Sequence, residues 1–228
     1  EEYKEHLIKG ISNDQEVVKD KITIHNVHIL DCSISMTWDD KFKNAKKGIE
    51  LETKEICKLE SDEVNYIQTL VTFSSRHRIK TEYNRLPIKD VVFPSYIYHG
   101  NTALYKTIVE VLSRLLSEKV GDERVIVKIF TDGVDNNSDL FENKKAIRLI
   151  NKAKEAGFTV TFVGTNRDVK RMVDVLDIDE SNTLVHDNTA KGVLDAFMTT
   201  SNATKMYTTR AMAGENVLVG FYKQTGQL

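Results

Sequence analysis

The chain has 228 residues, of which 40% are hydrophobic and 29% charged. That is enough apolar material for a sizeable core and too much for a disordered chain, and only two prolines argue against a proline-rich linker protein. Lysine plus arginine (32) against aspartate plus glutamate (34) leaves a net charge of −2, so a phosphate backbone is not a favoured partner and nucleic acid is set aside.

No apolar run approaches the roughly 20 residues a membrane-spanning helix needs. The chain opens Glu1-Glu2-Tyr3, without a basic segment followed by an apolar one, so no secretory signal is visible. The missing initiator methionine suggests a trimmed chain or a domain cut from a longer one, and the full-length protein could still carry such a signal. Two cysteines, Cys32 and Cys57, do not make a disulfide framework. Both fall in apolar patterns and read as buried free thiols. A reducing, cytoplasmic setting is the expectation.

Residues 1–20 are polar with apolar pairs at Leu7/Ile8 and Val17/Val18, a loose arm or helix. Residues 22–30 (ITIHNVHIL) are mostly β-branched or apolar, the pattern of a buried strand. Asp39 and Asp40 then precede Phe42, Ala45, Ile49, Ile56 and Leu59, a helical spacing with acids at its start. Residues 64–73 and 76–83 read as two strands joined by Ser74-Ser75, a hairpin with an antiparallel edge strand. A looser stretch with Pro87 and Pro94 follows.

Thr102 opens a helix whose stripe is Leu104, Ile108, Val111, Leu112 and Leu115. Residues 125–130 (VIVKIF) are the strongest buried-strand signal and end in Thr131-Asp132-Gly133. A helix over about 140–156, with Gly157 as its cap, leads to a strand over 158–163. A short helix near 169–176, a short strand 183–185 and a helix carrying Val193, Leu194 and Phe197 complete the alternation. Such alternation predicts a mainly parallel, doubly wound α/β sheet with helices on both faces, one domain over about 21–204. Residues 205–228 are an extension. Its run 217–222 (VLVGFY) is apolar and β-prone, and is expected to pack back as an added strand or to meet another copy.

Ligands of open α/β sheets bind at the carboxyl ends of strands. Three segments stand there: Asp31-Cys32-Ser33-Ile34-Ser35, Gly100-Asn101-Thr102 and Asp132-Gly133. Adjacent first and fourth strands would bring them into one crevice with two carboxylates and three hydroxyls. An all-oxygen set of this kind suits Mg²⁺ and fits zinc or copper poorly. In Asp31-x-Ser33-x-Ser35, every second side chain is able to face the crevice.

Asp31-x-Ser33-x-Ser35, Thr102 in GNTALY and Asp132 in FTDGVDN resemble, in content and order, the metal-ion-dependent adhesion site (MIDAS) of von Willebrand factor A domains. The resemblance covers about residues 22–204. It implies a six-strand, mostly parallel Rossmann-like sheet with one antiparallel edge strand. It also implies that Ser33, Ser35 and Thr102 are hydroxyl ligands, with Asp31 and Asp132 acting directly or through water. The expected ion is Mg²⁺, with Mn²⁺ or Ca²⁺ as substitutes. Such a metal keeps an open position, and the expected occupant is an aspartate or glutamate of a partner protein.

Each piece also has a plainer reading. Asp31 and Ser33 could cap the helix that follows, Thr102 could be a helix N-cap, and Asp132-Gly133 a turn. Asn101 departs from the family, where a second glycine is common, but asparagine tolerates left-handed backbone. Asp39 and Asp40 lie one residue too far from the serines for the integrin-like spacing and read as helix-start acids. His25 and His28 read as sheet or core histidines. Asp135, Asn136 and Asn137 either extend the rim or form a solvated loop. Trp38 is a candidate partner contact or a half-buried packing residue, and Tyr98, His99 and Asn136 join it on the rim. The alternative function is a metal-dependent hydrolase of phosphate esters. Against it, no Gly-x-Ser-x-Gly elbow, GxxxxGK[ST] loop or GxGxxG is present, and Ser33 stands where an aspartyl-phosphate phosphatase has its second aspartate. A non-enzymatic binding module is the expected role.

Overall fold

The computed structural model describes residues 21–93, 95, 98 and 100–223, without the side chains of Arg167, Asp168, Arg171 and Met172. The N-terminal arm expected over 1–20 lies outside the described residues, as do Pro94 and His99.

Six strands form one sheet in the order β3-β2-β1-β4-β5-β6. They are β1 (Ile22–Asp31), β2 (Val64–Phe73), β3 (Ile79–Pro87), β4 (Arg124–Phe130), β5 (Thr159–Gly164) and β6 (Thr183–Val185). All neighbours pair in parallel except β2 with β3. Among the described residues the α-helices are α1 (Lys41–Cys57), α2 (Leu104–Glu118), α3 (Leu140–Glu155), α4 (Asn166–Leu176) and α5 (Ala190–Met212). Among the described residues no helix is long and apolar enough to cross a membrane.

Period-two alternation splits the buried residues into two cores. Ile24 and Leu30 of β1 join the layer under α1 and α5, with Ile49, Ile56 and Phe197. Val27 and Ile29 point the other way, to Leu104, Ile108, Leu112 and Ile150 of α2 and α3. With both faces covered, β1 is buried through to Asp31, as a central parallel strand should be. The chain leaves β1 toward β2 on one side and reaches β4 on the other. The strand order therefore reverses at the β1/β4 seam, where Leu30 pairs with Phe130. Asp31 and Thr131 emerge together at the carboxyl edge of that seam.

Two segments differ from the sequence expectation. The link between β2 and β3 is longer than Ser74-Ser75, and β3 starts at Ile79 and runs through Pro87. Arg76 is held instead by the loop before α3 and by α3 itself: its N–H donates to Asn137 Oδ1 at 2.8 Å and its guanidinium to Glu142 at 2.8 Å. The expected boundary at 204 falls inside α5, which continues to Met212. Residues 217–222 form bends rather than an added strand, and Gly220 has φ +80°. They pack at the amino edge of the sheet. Phe221 and Tyr222 are buried, and the backbone N–H of Phe221 donates to Asn182 Oδ1 at 3.0 Å and that of Tyr222 to the Ser181 carbonyl at 2.9 Å.

Candidate metal centre

Asp31 ends β1 and is fully buried. Its Oδ1 accepts from the Ser33 N–H at 2.7 Å and its Oδ2 from the Thr131 hydroxyl at 2.5 Å. Burial pushes its carboxyl up to about 6, against the opposing hydrogen bonds from Thr131 and Ser33. Asp31 thus ties the loop after β1 to the end of β4.

The two serines continue from it. Ser33 Oγ and Ser35 Oγ lie 3.0 Å apart, and the Ser35 hydroxyl donates to Asp132 Oδ1 at 2.6 Å. Ser33 is buried and Ser35 half-buried. The intervening Cys32 turns into the core, where burial pushes its thiol up, whereas Ile34 points outward and is exposed.

Thr102 comes from the loop before α2. That loop is tied to the serine loop by the Ile34 N–H donating to the Gly100 carbonyl at 3.3 Å. A Cβ on Gly133 would stand 4.0 Å from Thr102 Oγ1, which places this hydroxyl beside the residue that follows Asp132. Thr102 is not the cap of α2. The N-cap position is Ala103 and makes no side-chain cap bond. The first turn of α2 is served from the β4–α3 loop instead: the Tyr105 N–H donates to Asp135 Oδ2 at 2.8 Å and the Lys106 N–H to Ser138 Oγ at 3.0 Å. Asn136 Oδ1 accepts from the Thr102 N–H at 2.8 Å, and its own N–H donates to the Thr102 carbonyl at 3.0 Å. Asp135 and Asn136 therefore brace the site rather than form a solvated loop, and Asn137 is spent on Arg76.

The five sequence-expected residues thus stand on three adjoining loops. Ser33, Ser35 and Asp132 form one line of oxygens, Asp31 anchors it from below, and Thr102 faces it across Gly133. Among the described residues no group of three or more histidine, cysteine, aspartate or glutamate side chains is placed to hold a metal. A cation here must rely on hydroxyls. The neutral and anionic oxygens that converge are of the hard kind that Mg²⁺ or Mn²⁺ accepts. The donor chemistry therefore fits a divalent ion.

The sequence reading missed Lys41. It opens α1, is buried, and its ammonium forms an ion pair with Asp132 Oδ2. The same Nζ donates to Asn188 Oδ1 at 2.9 Å and lies 5.9 Å from the centroid of the Trp38 ring. A signal was present: Lys41, Ala45, Gly48, Glu52 and Ile56 recur at helical spacing and are the buried face of α1. Thr131 was also missed, although it adjoins Asp132 and holds Asp31.

The remaining candidates are distributed as follows. Asp39 and Asp40 both adopt φ +53°. Asp40 is the N-cap position of α1, but Asp39 serves a different helix, its Oδ2 accepting from the Ala190 N–H at the start of α5 at 3.1 Å. Trp38 is 64% exposed, not half-buried under α1. Tyr98 reaches the rim edge-on to Phe42, with ring centroids 4.9 Å apart. His25 bonds Thr69 at 2.8 Å and Glu123 at 3.0 Å, and His28 lies 3.8 Å from Glu52, so both are sheet histidines well below the crevice.

Similar solved structures share this fold at low identity. Proximal thread matrix protein 1 of the mussel byssus aligns at 18% identity over 78% of this chain and 47% of its own, with TM-score 0.57. Another structure of that protein has zinc in its MIDAS motif. The pilus adhesin SpaC of Lactobacillus rhamnosus GG aligns at 12% identity over 81% of this chain and 30% of its own, with TM-score 0.62. Manganese-loaded TRAP protein of Plasmodium vivax aligns at 14% identity over 80% and 73%, with TM-score 0.50. The chain thus spans about half the length of the mussel protein and a third of the adhesin. No curated protein matches it in sequence. The model of the von Willebrand factor type A domain matches residues 27–199, most of the chain, and the protein belongs to that family.

Proposed function

We propose that the chain is a metal-dependent protein-binding module and not an enzyme. In this reading Ser33, Ser35 and Thr102 ligate Mg²⁺ directly, with Mn²⁺ or Ca²⁺ as substitutes. Asp31 and Asp132 contribute their carboxylates directly or through water, each of their oxygens already having a hydrogen-bond or ion-pair partner. The observation that carries the reading is the unbroken contact Ser33–Ser35–Asp132 with the Thr102 hydroxyl beside Gly133. Two relatives of the same fold carry zinc or manganese, which supports a divalent ion.

A metal held largely by neutral hydroxyls keeps much of its positive charge and is able to accept a further anionic oxygen. The partner's aspartate or glutamate provides it. Ser35 is half-buried while Ser33, Thr102 and Asp132 are covered, so the approach is over Ser35, Gly100 and Asn101. Exposed Ile34, Trp38 and Tyr98 offer apolar contact around that approach.

The test is capture of the natural partner by the immobilised chain. Capture is expected to vanish in EDTA, return with Mg²⁺, and weaken with Thr102→Ala more than with changes on the outer face of α3. Capture unchanged in EDTA refutes the mechanism.

A further inference from the structure

We propose that Lys41 is a tethered cation that competes with the metal for Asp132 and so sets the metal affinity of the site. The inference rests on the metal-binding reading above and concerns how that site is regulated. Asp132 presents two oxygens: Oδ1 faces Ser35 and Oδ2 is held by Lys41. The side chains of Lys41 and Asp132 are almost wholly shielded from water, so their charges interact with little screening. A divalent ion placed against Ser33 and Ser35 meets a carboxylate already neutralised. It also meets an ammonium that repels it across a short, poorly solvated gap. Both effects oppose loading.

The ammonium has other partners when Asp132 is taken up by metal. Asn188 Oδ1 lies 2.9 Å from Nζ, on the loop before α5, and the Trp38 ring centroid lies 5.9 Å away. An amide oxygen and an aromatic face are both favourable to a cation. Lys41 is thereby shared between the metal ligand Asp132 and the rim residue Trp38, so metal loading and the presentation of Trp38 to a partner are coupled through one side chain.

The experiment is calorimetric titration of the intact chain with Mn²⁺ alone, comparing wild type with Lys41→Met and Lys41→Gln. The glutamine keeps a hydrogen-bond donor toward Asp132 and removes the charge, which covers the case in which methionine impairs folding. Both variants are expected to bind Mn²⁺ at least about tenfold more tightly than wild type, as loss of a nearby like charge should give. Without metal both should melt lower than wild type, and saturating Mn²⁺ should raise their melting temperature by more than it raises that of wild type. Equal or weaker Mn²⁺ binding by the variants overturns the competition while leaving the metal site standing, and would make Lys41 a structural or orienting residue. Absence of Mn²⁺ binding in all three proteins overturns the metal reading itself and this inference with it.

Discussion

Ser35 and Asp132 lie 97 positions apart in the chain, and the hydroxyl of one donates to the carboxylate of the other at 2.6 Å. The β1/β4 seam makes this possible, because the loops after two adjacent parallel strands leave the sheet at the same level. Ser35→Ala should therefore separate function from stability. It removes a half-buried hydroxyl and is expected to change unfolding free energy by only about 1 kcal/mol, while lowering metal affinity at least tenfold. Urea unfolding beside calorimetric titration checks both. A variant with unaltered metal affinity would remove Ser35 from the ligand set.

Lys128 is buried in β4, and its ammonium donates to Glu52 Oε1 at 2.5 Å, Asn26 Oδ1 at 2.9 Å and Thr204 Oγ1 at 2.8 Å. This cluster lies between the sheet and the pair α1 and α5. Glu52→Gln leaves a buried ammonium without its counter-charge and should cost about 3–5 kcal/mol. The double variant Glu52→Met/Lys128→Met should recover most of that loss, since neither charge then remains. Denaturant unfolding of the single and double variants decides whether the pair acts as a unit.

His28 faces the same cluster. Burial, offset in part by Glu52, lowers its pKa from 6.5 to about 4. The unfolded chain takes up the proton first, so stability from this group is present above about 6.5 and is lost as pH falls toward 4. The shift corresponds to about 3 kcal/mol once the window is crossed. Asp31 acts with opposite sign: its pKa is raised to about 6, so its contribution is lost as pH rises through that value. His28→Gln should flatten the acid side of the stability profile relative to wild type. Identical profiles between pH 4 and 7 would show that His28 does not titrate in this window.

Gly48 lets α1 approach α5 closely. A Cβ there would stand 2.4 Å from Cβ of Phe197, an atom fixed to the α5 backbone that no rotamer can move. Gly48→Ala gains about 1 kcal/mol of helix propensity, yet it should be net destabilising by about 1–3 kcal/mol. Thermal and chemical unfolding measure the balance, and a more stable variant would mean that the two helices separate easily.

Much of this was legible in the residues themselves. The runs 22–30, 64–73 and 125–130, rich in β-branched and aromatic residues, announce the buried strands, because strands covered on both faces lack a regular polar alternation. Asp31-x-Ser33-x-Ser35 is legible because it is a local pattern at a strand end. Lys41 is not, because its contacts are with Asp132 and Asn188, which only the fold brings near. The 217–222 run looked like a strand because its residues are β-prone. It forms bends instead because its backbone is held by Ser181 and Asn182 side chains and by a left-handed Gly220. The start of β3 at Ile79 is hidden for a similar reason, since Arg76 is claimed by Asn137 and by Glu142 of α3.

The central claim is that the oxygens at the carboxyl edge of the β1/β4 seam hold a divalent ion. Calorimetric titration with Mg²⁺ tests it most directly, with the wild-type chain beside the double variant Asp31→Ala/Asp132→Ala, both verified as folded. The wild-type chain should bind one Mg²⁺ per molecule and the double variant none. Equal binding by the two proteins, or none by the wild type, would contradict the claim.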